Sequence, residues 1–232
     1  IIMLATLLVV SCALPVAAQT RFGLKAGYNH ASMSFSDDYV DLLEFIGGER
    51  FEIQPMSLFH AGAVLEFGLG NHFGLATGVQ LQAKGAKQTY SGVILNNPYI
   101  RTFRTIPMYV QVPLSFTFRS HGFYVGAGPY AGYAVTGKLK IKTESGGSST
   151  ESSESLKFGK EQTKDFGSLD YGATLELGYE FFDAFRLSVS YNYGLANVVP
   201  ADEVEMWDDL GAKVSAKHRV IGVSLTYLLG GE

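Results

Sequence analysis

The sequence predicts an all-β chain that closes as an eight-stranded antiparallel transmembrane up-and-down β-barrel. Three observations carry this. First, apolar and polar residues alternate from Leu169 to Leu195 on both sides of a tight Phe182-Asp183-Ala184 corner. Leu169, Tyr171, Ala173, Leu175, Leu177, Tyr179 and Phe181, then Phe185, Leu187, Val189, Tyr191, Tyr193 and Leu195, form one face of a hairpin, because side chains on a strand change sides at every residue. Second, each arm outruns the ~5–6 residues usual in soluble sheets and reaches the ~9–11 that cross a bilayer at a tilt. The apolar row also carries aromatics towards both ends and aliphatics between them, as the girdles of an outer-membrane barrel do. Third, short and long connections alternate along the chain, the pattern of short periplasmic turns and long external loops. A soluble barrel of the same strand number would turn its apolar row inward. The opposite row here, rich in glycine and charge, is too small and polar for a soluble exterior.

Composition agrees with this reading. Charged residues make up only 17% of the 232 residues, aromatics 13%, and glycines number 27. No internal run of ~18 apolar residues offers a membrane helix. The formal charge of −4 argues against nucleic-acid binding, which wants a basic footprint.

The first 18 residues read separately, as a signal peptide. They form an apolar run ending in Val16-Ala17-Ala18, a small-residue cleavage pattern, followed by polar Gln19-Thr20. The basic leading region of such a segment is absent and the chain does not open on Met, so its start reads as truncated or misassigned. A rival reading takes Val9-Val10-Ser11-Cys12 as a lipobox that lipidates Cys12. Cleavage after Ala18 would remove that cysteine, the only one in the chain, and leave residues 19–232 as a thiol-free barrel domain suited to an oxidising periplasm.

The elements then follow in order. Strand one, Arg21–Ser34, places Phe22, Leu24, Ala26 and Tyr28 outward and Gly23, Lys25, Gly27 and Asn29 inward. The long loop Phe35–Pro55 contains a short amphipathic helix over Tyr39–Ile46, capped by Asp37 or Asp38. Strand two, Met56–Leu69, turns His60, Gly62, Val64 and Glu66 inward. After Gly70-Asn71-His72, strand three, Phe73–Thr89, turns Gly78, Gln80, Gln82 and Lys84 inward. A loop around Asn96-Asn97-Pro98 leads to strand four, Thr102–Arg119. Its Pro107 and Pro113 weaken the ladder locally, since proline cannot donate to it. Ser120-His121-Gly122 turns into strand five, Phe123–Lys142, where Gly126, Gly128 and Gly132 leave room inside for bulky neighbours such as Tyr109 or Tyr130. Thr143–Lys164, rich in Ser, Gly, Glu and Lys, reads as a flexible low-complexity loop. Strands six and seven are the hairpin already described. A last loop, Val199–Ala216, sets Asp202, Glu203, Glu205, Asp208 and Asp209 around Trp207. Strand eight, Lys217–Leu229, faces Arg219, Ile221, Val223, Leu225 and Tyr227 outward.

Four stretches resemble a known family. Phe22-Gly23-Leu24-Lys25-Ala26-Gly27-Tyr28-Asn29, Thr105-Ile106-Pro107-Met108, Gly126-Ala127-Gly128-Pro129-Tyr130-Ala131-Gly132 and Tyr191-Asn192-Tyr193-Gly194-Leu195-Ala196-Asn197 are similar to the first, fourth, fifth and seventh strands of the PorT-like outer-membrane β-barrel family of Gram-negative bacteria. The resemblance implies a bacterial outer-membrane barrel with both termini in the periplasm. It also implies partnership with outer-membrane lipid, and with the assembly machinery, for which Gly222, Leu225 and Tyr227 approximate the sorting signal. The family's namesake is a type IX secretion accessory, so secretion-system or surface partners acting through the loops are implied as well.

No constellation in the chain reads as an enzyme. A Ser–His hydrolase needs a histidine beside a serine, held by an acid, and His30, His60, His72, His121 and His218 show no such spacing. Asp202, Asp208 and His218 suggest an external protease only weakly against the simpler reading of a solvated acidic loop. That loop lacks the fixed spacing of a calcium site, and Gly126-Ala127-Gly128 is no phosphate cradle because no helix follows it. No catalytic, cofactor or metal site is therefore assigned. The informative charges are internal: Lys25, Glu66, Lys84, Arg119, Asp170, Glu176, Glu180 and Arg186 all point inward on the strand map. They read as a pairing network that fills a narrow lumen, with a gated proton or solute path as the alternative. The expected function is a non-enzymatic barrel with a plugged polar lumen, acting as a structural, adhesion or secretion-accessory component; the alternative is a narrow channel or transporter for small solutes.

Overall fold

The structure, a computed structural model, describes residues 20–47, 50–94, 97–161 and 163–230. The expected signal peptide at 1–18, the cleavage point before Gln19 and the rival lipidation site at Cys12 lie outside the described residues, as does Asn96 of the expected loop.

The strands are β1 (Thr20–Phe35), β2 (Arg50–Gln54), β3 (Met56–Gly68), β4 (Phe73–Ala83), β5 (Ala86–Ile94), β6 (Asn97–Ser120), β7 (Phe123–Ser145), β8 (Ser148–Ser155), β9 (Leu169–Phe181), β10 (Phe185–Gly194) and β11 (Ala216–Leu229). Eight of them close a ring in the order β1-β3-β4-β6-β7-β9-β10-β11, every neighbour antiparallel and β11 returning to β1. This is the expected eight-stranded barrel. The alternation holds around it: Phe22, Leu24, Leu75, Val112, Leu114, Leu175, Leu177, Leu187, Val189, Val223 and Leu225 are exposed on the outer wall. Aromatics bracket that aliphatic band. Phe73, Phe116, Phe123, Tyr179, Phe185 and Tyr227 gather at one end, with Phe185 5.0 Å from Tyr227 and Phe123 5.3 Å from Tyr179 between ring centres. Tyr28, Phe59, Tyr133, Tyr171, Tyr191 and Tyr193 mark the other end.

The turns at 70–72, 120–122 and 182–184 share the first of these ends, the short-turn end. Two of them are tight because consecutive residues take left-handed backbone, His121 (φ 51) with Gly122 (φ 84) and Phe182 (φ 55) with Asp183 (φ 52), the twist that matches paired strands.

The opposite, long-loop end departs from expectation. Strand three keeps one register against β6 and continues past Thr89; its ladder is interrupted where Gly78 and Val79 face Pro113 and Val112, and again at Lys84 and Gly85, where Lys84 faces Pro107. Pro107 has no N–H to donate, so β4 ends at Ala83 opposite Met108 and β5 resumes at Ala86 opposite Thr105. Beyond the ring, β6 and β7 run on as the centre of a sheet ordered β2-β5-β6-β7-β8. The segment Thr143–Lys164, expected as a flexible loop, is therefore largely paired. Gly146 (φ 55) and Gly147 (φ 83) make a two-residue turn, and Ser148–Ser155 pairs back along Lys138–Ser145. A Gly-Gly step between strand-forming Ser and Thr residues is itself a hairpin signal, outweighed in the sequence reading by polarity. Further along the same segment, Phe158 bridges to Phe166.

Among the described residues, two helices occupy the loops. Helix α1 (Asp37–Gly47) is the expected one, but Asp37 and Asp38 lie in its first turn and do not cap it. Ser36 precedes it, and its carbonyl accepts from Tyr39 N–H and Val40 N–H. Asp38 accepts instead from Lys213 N–H at 2.8 Å, tying the helix to the approach of β11. Helix α2 (Ala201–Asp209) lies inside the expected last loop. Met33, Ala86, Val198, Val199, Val214 and Ala216 form a buried apolar cluster at this end, with Phe35, Tyr39, Leu42, Ile53, Phe166, Val204 and Trp207 packed on it.

The faces give a direct test. Leu187→Arg, on the outer wall at mid-height, should destabilise the barrel by about 2–4 kcal/mol, and Ser190→Asn on the inner wall far less. Reversible unfolding from lipid vesicles measures both, and equal costs would mean that the two faces are assigned wrongly.

Candidate functional site

Inside the ring, all eight sequence-predicted charges point inward, and seven of them meet in tiers. At the short-turn end, Arg21 stands directly opposite Glu66 on β1 and β3, and Glu180 opposite Arg186 on β9 and β10. These two cross-strand pairs face each other over the lumen and merge. Arg21 donates to Glu66 at 2.7 Å and to both Glu180 oxygens at 2.8 and 2.9 Å. Arg186 donates to Glu66 through two nitrogens at 2.6 and 3.0 Å and also to Glu180. Its guanidinium lies 3.5 Å from the Tyr124 ring centre, a favourable cation–π placement. Arg119 stands apart: it approaches Glu66 only at 3.9 Å and its side chain stays 24% exposed.

The middle tier joins strands that are not neighbours. Lys25 on β1 reaches Glu176 on β9 at 2.8 Å, and Glu176 also accepts from Ser188 at 2.6 Å. Beside them, Asn29 donates to Gln82 at 2.9 Å and to the Ala83 carbonyl at 3.0 Å. Since Asn29 Nδ2 is thus spent, its Oδ1 is the acceptor for His60 Nδ1–H at 2.6 Å, and His60 Nε2 accepts from Ser224 at 2.8 Å.

The third tier is the most enclosed. Lys84 and Asp170 are both fully buried and 2.6 Å apart. Lys84 also donates to Gln111 at 2.7 Å and lies 4.3 Å from the Tyr130 ring centre, while the Tyr130 hydroxyl donates to Asp170 at 3.4 Å. Tyr109 and fully buried His218 sit alongside, 3.3 Å apart through Tyr109 Oη and His218 Nε2. Of the inner-face glycines, Gly126 makes room for Tyr124, whose hydroxyl a Cβ there would approach to 3.0 Å, and a Cβ on Gly128 would meet the Leu114 carbonyl at 2.0 Å. One on Gly132 would lie 3.5 Å from Tyr109 Cβ, an ordinary contact, so the room expected for Tyr109 does not depend on it.

Sequence reasoning missed two members of this interior. Arg21 shares its parity with Lys25, which was placed inward, and the same count would have found it. His218, weighed with Asp202 and Asp208 for an external protease, is at the core of the third tier because it alternates with outward Arg219.

Three spaces remain within and beyond these tiers. A cavity of about 30 Å³ lies among Lys25, His60, Gln80, Gln111 and Glu176, enough for a water or two. Above the third tier, a pocket of about 300 Å³ is enclosed by Met33, Phe103, Leu156, Phe166, Val199 and neighbours. At its edge Tyr39 donates to Glu203 at 3.5 Å. Burial raises the Glu203 carboxyl above its ordinary value, opposed by that hydrogen bond, and raises the Tyr39 phenol likewise. A wider vestibule of about 500 Å³ opens at the short-turn end beside Arg21, His72, Arg119, His121 and Glu180. Among the described residues no three His, Cys, Asp or Glu side chains are grouped to hold a metal ion. The protease candidates do not assemble either: Asp202 and Asp208 belong to α2 on the loop side, whereas His218 is sealed within the barrel.

Breaking a buried pair leaves an uncompensated charge and costs about 3–5 kcal/mol, whereas replacing both partners by apolar groups is often nearly neutral. Asp170→Ala should therefore destabilise on that scale, and the double variant Lys84→Met/Asp170→Leu should recover most of the loss. Asp208→Ala, on an exposed helix, should stay within about 0.5 kcal/mol. Urea titration of the refolded protein measures all three; a double variant as unstable as Asp170→Ala would refute the pairing account.

Several solved structures align with this chain. Ail, the attachment invasion locus protein of Yersinia pestis, aligns over 91% of this chain and 99% of its own, with 13% identity and a TM-score of 0.41. Neisserial surface protein A aligns over 89% and 96%, with 12% identity and a TM-score of 0.36. OprG from Pseudomonas aeruginosa aligns over 92% and 98%, with 10% identity and a TM-score of 0.39. No curated protein matches the chain in sequence. The family described as "Outer membrane protein beta-barrel domain" matches residues 17–199, most of the closed ring, and the chain belongs to that family.

Proposed function

We propose that the protein is a non-conducting, non-enzymatic scaffold that acts through its long-loop end as a structural, adhesion or secretion-accessory component. Family membership places it in the bacterial outer membrane. One observation carries the reading: three successive tiers of paired side chains fill the lumen, and the middle of the barrel retains a cavity of only about 30 Å³. An eight-stranded ring is just wide enough for side chains to fill, and charges of both signs in that space are stable only when paired and hydrogen-bonded.

The working surface then lies where the chain invests its extra strand length, on the five-stranded sheet above the ring. The long-loop end faces outward in this reading, with both termini periplasmic, supported by the gathering of the short turns at the other end. The resemblance of Phe22–Asn29 and Tyr191–Asn197 to PorT-like strands supports the secretion-accessory form of the proposal. The partners that follow are outer-membrane lipid, the assembly machinery and a surface or secretion component held by the loops; no nucleic acid is among them. The vestibule beside Arg119 favours the channel alternative, since it brings solvent to the first tier.

Planar-bilayer recording separates the two. The purified protein should show no steady, ion-selective conductance, and Glu176→Ala should not create one in the folded protein. Steady conductance that responds to substitutions at Lys25, Glu66 or Glu176 would establish the channel and end the scaffold reading.

A further inference from the structure

The outer face of the upper sheet carries a row of cations that the barrel does not use. In β6 the outward residues are the even-numbered ones, from Phe118 up through Ile106 to Arg104 and Thr102. In β7 the even positions point inward as far as Ala134, and continuing that parity would bury Lys138, Lys140 and Lys142. A bulge prevents it. The register against β6 shifts between Met108 and Tyr109, which pair with Thr136 and Ala134 and leave Val135 unopposed. A single extra residue reverses the faces beyond it. Lys138, Lys140 and Lys142 consequently share the outer face with Ile106, Arg104 and Thr102, their direct partners.

Across three adjacent strands, Lys87, Arg104 and Lys140 stand directly opposite one another. Like charges in that relation repel, and among the described residues no carboxylate forms an ion pair with Lys87, Arg104, Lys138 or Lys140. Lys87 donates to Gln54 at 2.9 Å, and Lys142 pairs with Glu144 at 2.6 Å. A cleft of about 180 Å³ opens between Thr102, Arg104, Lys140, Lys142 and Glu151. Three cations and a hydroxyl against one carboxylate leave it net positive.

We propose that this patch binds the phosphate groups of the anionic glycolipid in the membrane leaflet around it. Position decides the occupant. The cations begin on the same face and the same strands where the apolar band ends, Arg104 two residues beyond Ile106 on β6 and Lys138 three beyond Val135 on β7. A headgroup phosphate is the anion found at that height, and Arg and Lys supply its preferred donors. The identity of the leaflet rests on the long-loop end facing outward; the binding chemistry does not.

The test uses folded full-length protein in phosphatidylcholine nanodiscs doped with a bis-phosphorylated lipid A-type glycolipid or with its dephosphorylated form. The comparison variant is Lys87→Gln/Arg104→Gln/Lys140→Gln, at one exposed and two half-buried sites, with heat-modifiable gel mobility as the check on folding. The wild type should retain the phosphorylated glycolipid through detergent exchange at least about tenfold better than the variant does, and the two should not differ with the dephosphorylated form. Equal retention of the phosphorylated form would overturn the proposal. So would wild-type binding of a soluble sulfated glycan or of inorganic phosphate with no preference for the glycolipid. Thiol labelling of a Ser149→Cys variant in intact cells reads the orientation separately.

Discussion

The interior of a closed eight-stranded ring is the constraint from which the remaining structure follows. The outer wall must be apolar for lipid, so every other residue of every strand is committed to an enclosed space a few side chains wide. Those residues cannot all be large, and those that are charged cannot be left unpaired. The molecule meets both demands at once. Glycine at 126 leaves Tyr124 its room, and the pairs Arg21–Glu180, Arg186–Glu66, Lys25–Glu176 and Lys84–Asp170 span the hole. The first tier is wired most heavily, two guanidiniums shared between two carboxylates. The third is the driest, with Lys84, Asp170 and His218 withdrawn from solvent beneath the apolar cluster.

How much of this can be read from the sequence depends on which geometry is local. Alternation is local, so the two faces of each strand, the inward set of eight charges and the short turns at His121 and Asp183 were all legible. The same parity would have given Arg21 and His218 to the lumen. The pairing partners were not legible, because Lys25 meets Glu176 across a ring whose stagger is set by all eight strands together. Nor was the bulge at Val135, which nothing in the run from Tyr133 to Lys142 announces. The Gly146-Gly147 hairpin had a signal and was lost to composition. Serine-rich polarity argues against pairing, yet β7 offers a template edge on which Ser and Thr pair.

Above the ring the same strands serve a different environment. Pro107 interrupts the ladder, Lys84 turns in to close the third tier, and the strand then resumes without changing register. The extended β6 and β7 thus pass continuously from lipid to the outer sheet, and Val135 lets β7 exchange glycine and tyrosine inside the barrel for lysine outside it. Helices α1 and α2 and the turn at Phe158–Phe166 close over the apolar cluster, so the long-loop end is a built surface resting on a sealed floor.

The pairing of β1 with β11 joins the two extremes of the ring, from Phe22 opposite Leu229 to Phe35 opposite Ala216. Every other neighbour in the ring is also next in the order of the barrel strands, so this seam is by far the most distant contact along the chain. Closure therefore pays its loop entropy last. Until β11 arrives, β1 and β10 each present a bare strand edge, the template on which one chain aggregates with another. A chaperone or assembly catalyst has most to gain by shielding those two edges, and substitutions along β1 and β11 should slow insertion more than equally destabilising ones in β4 or β6.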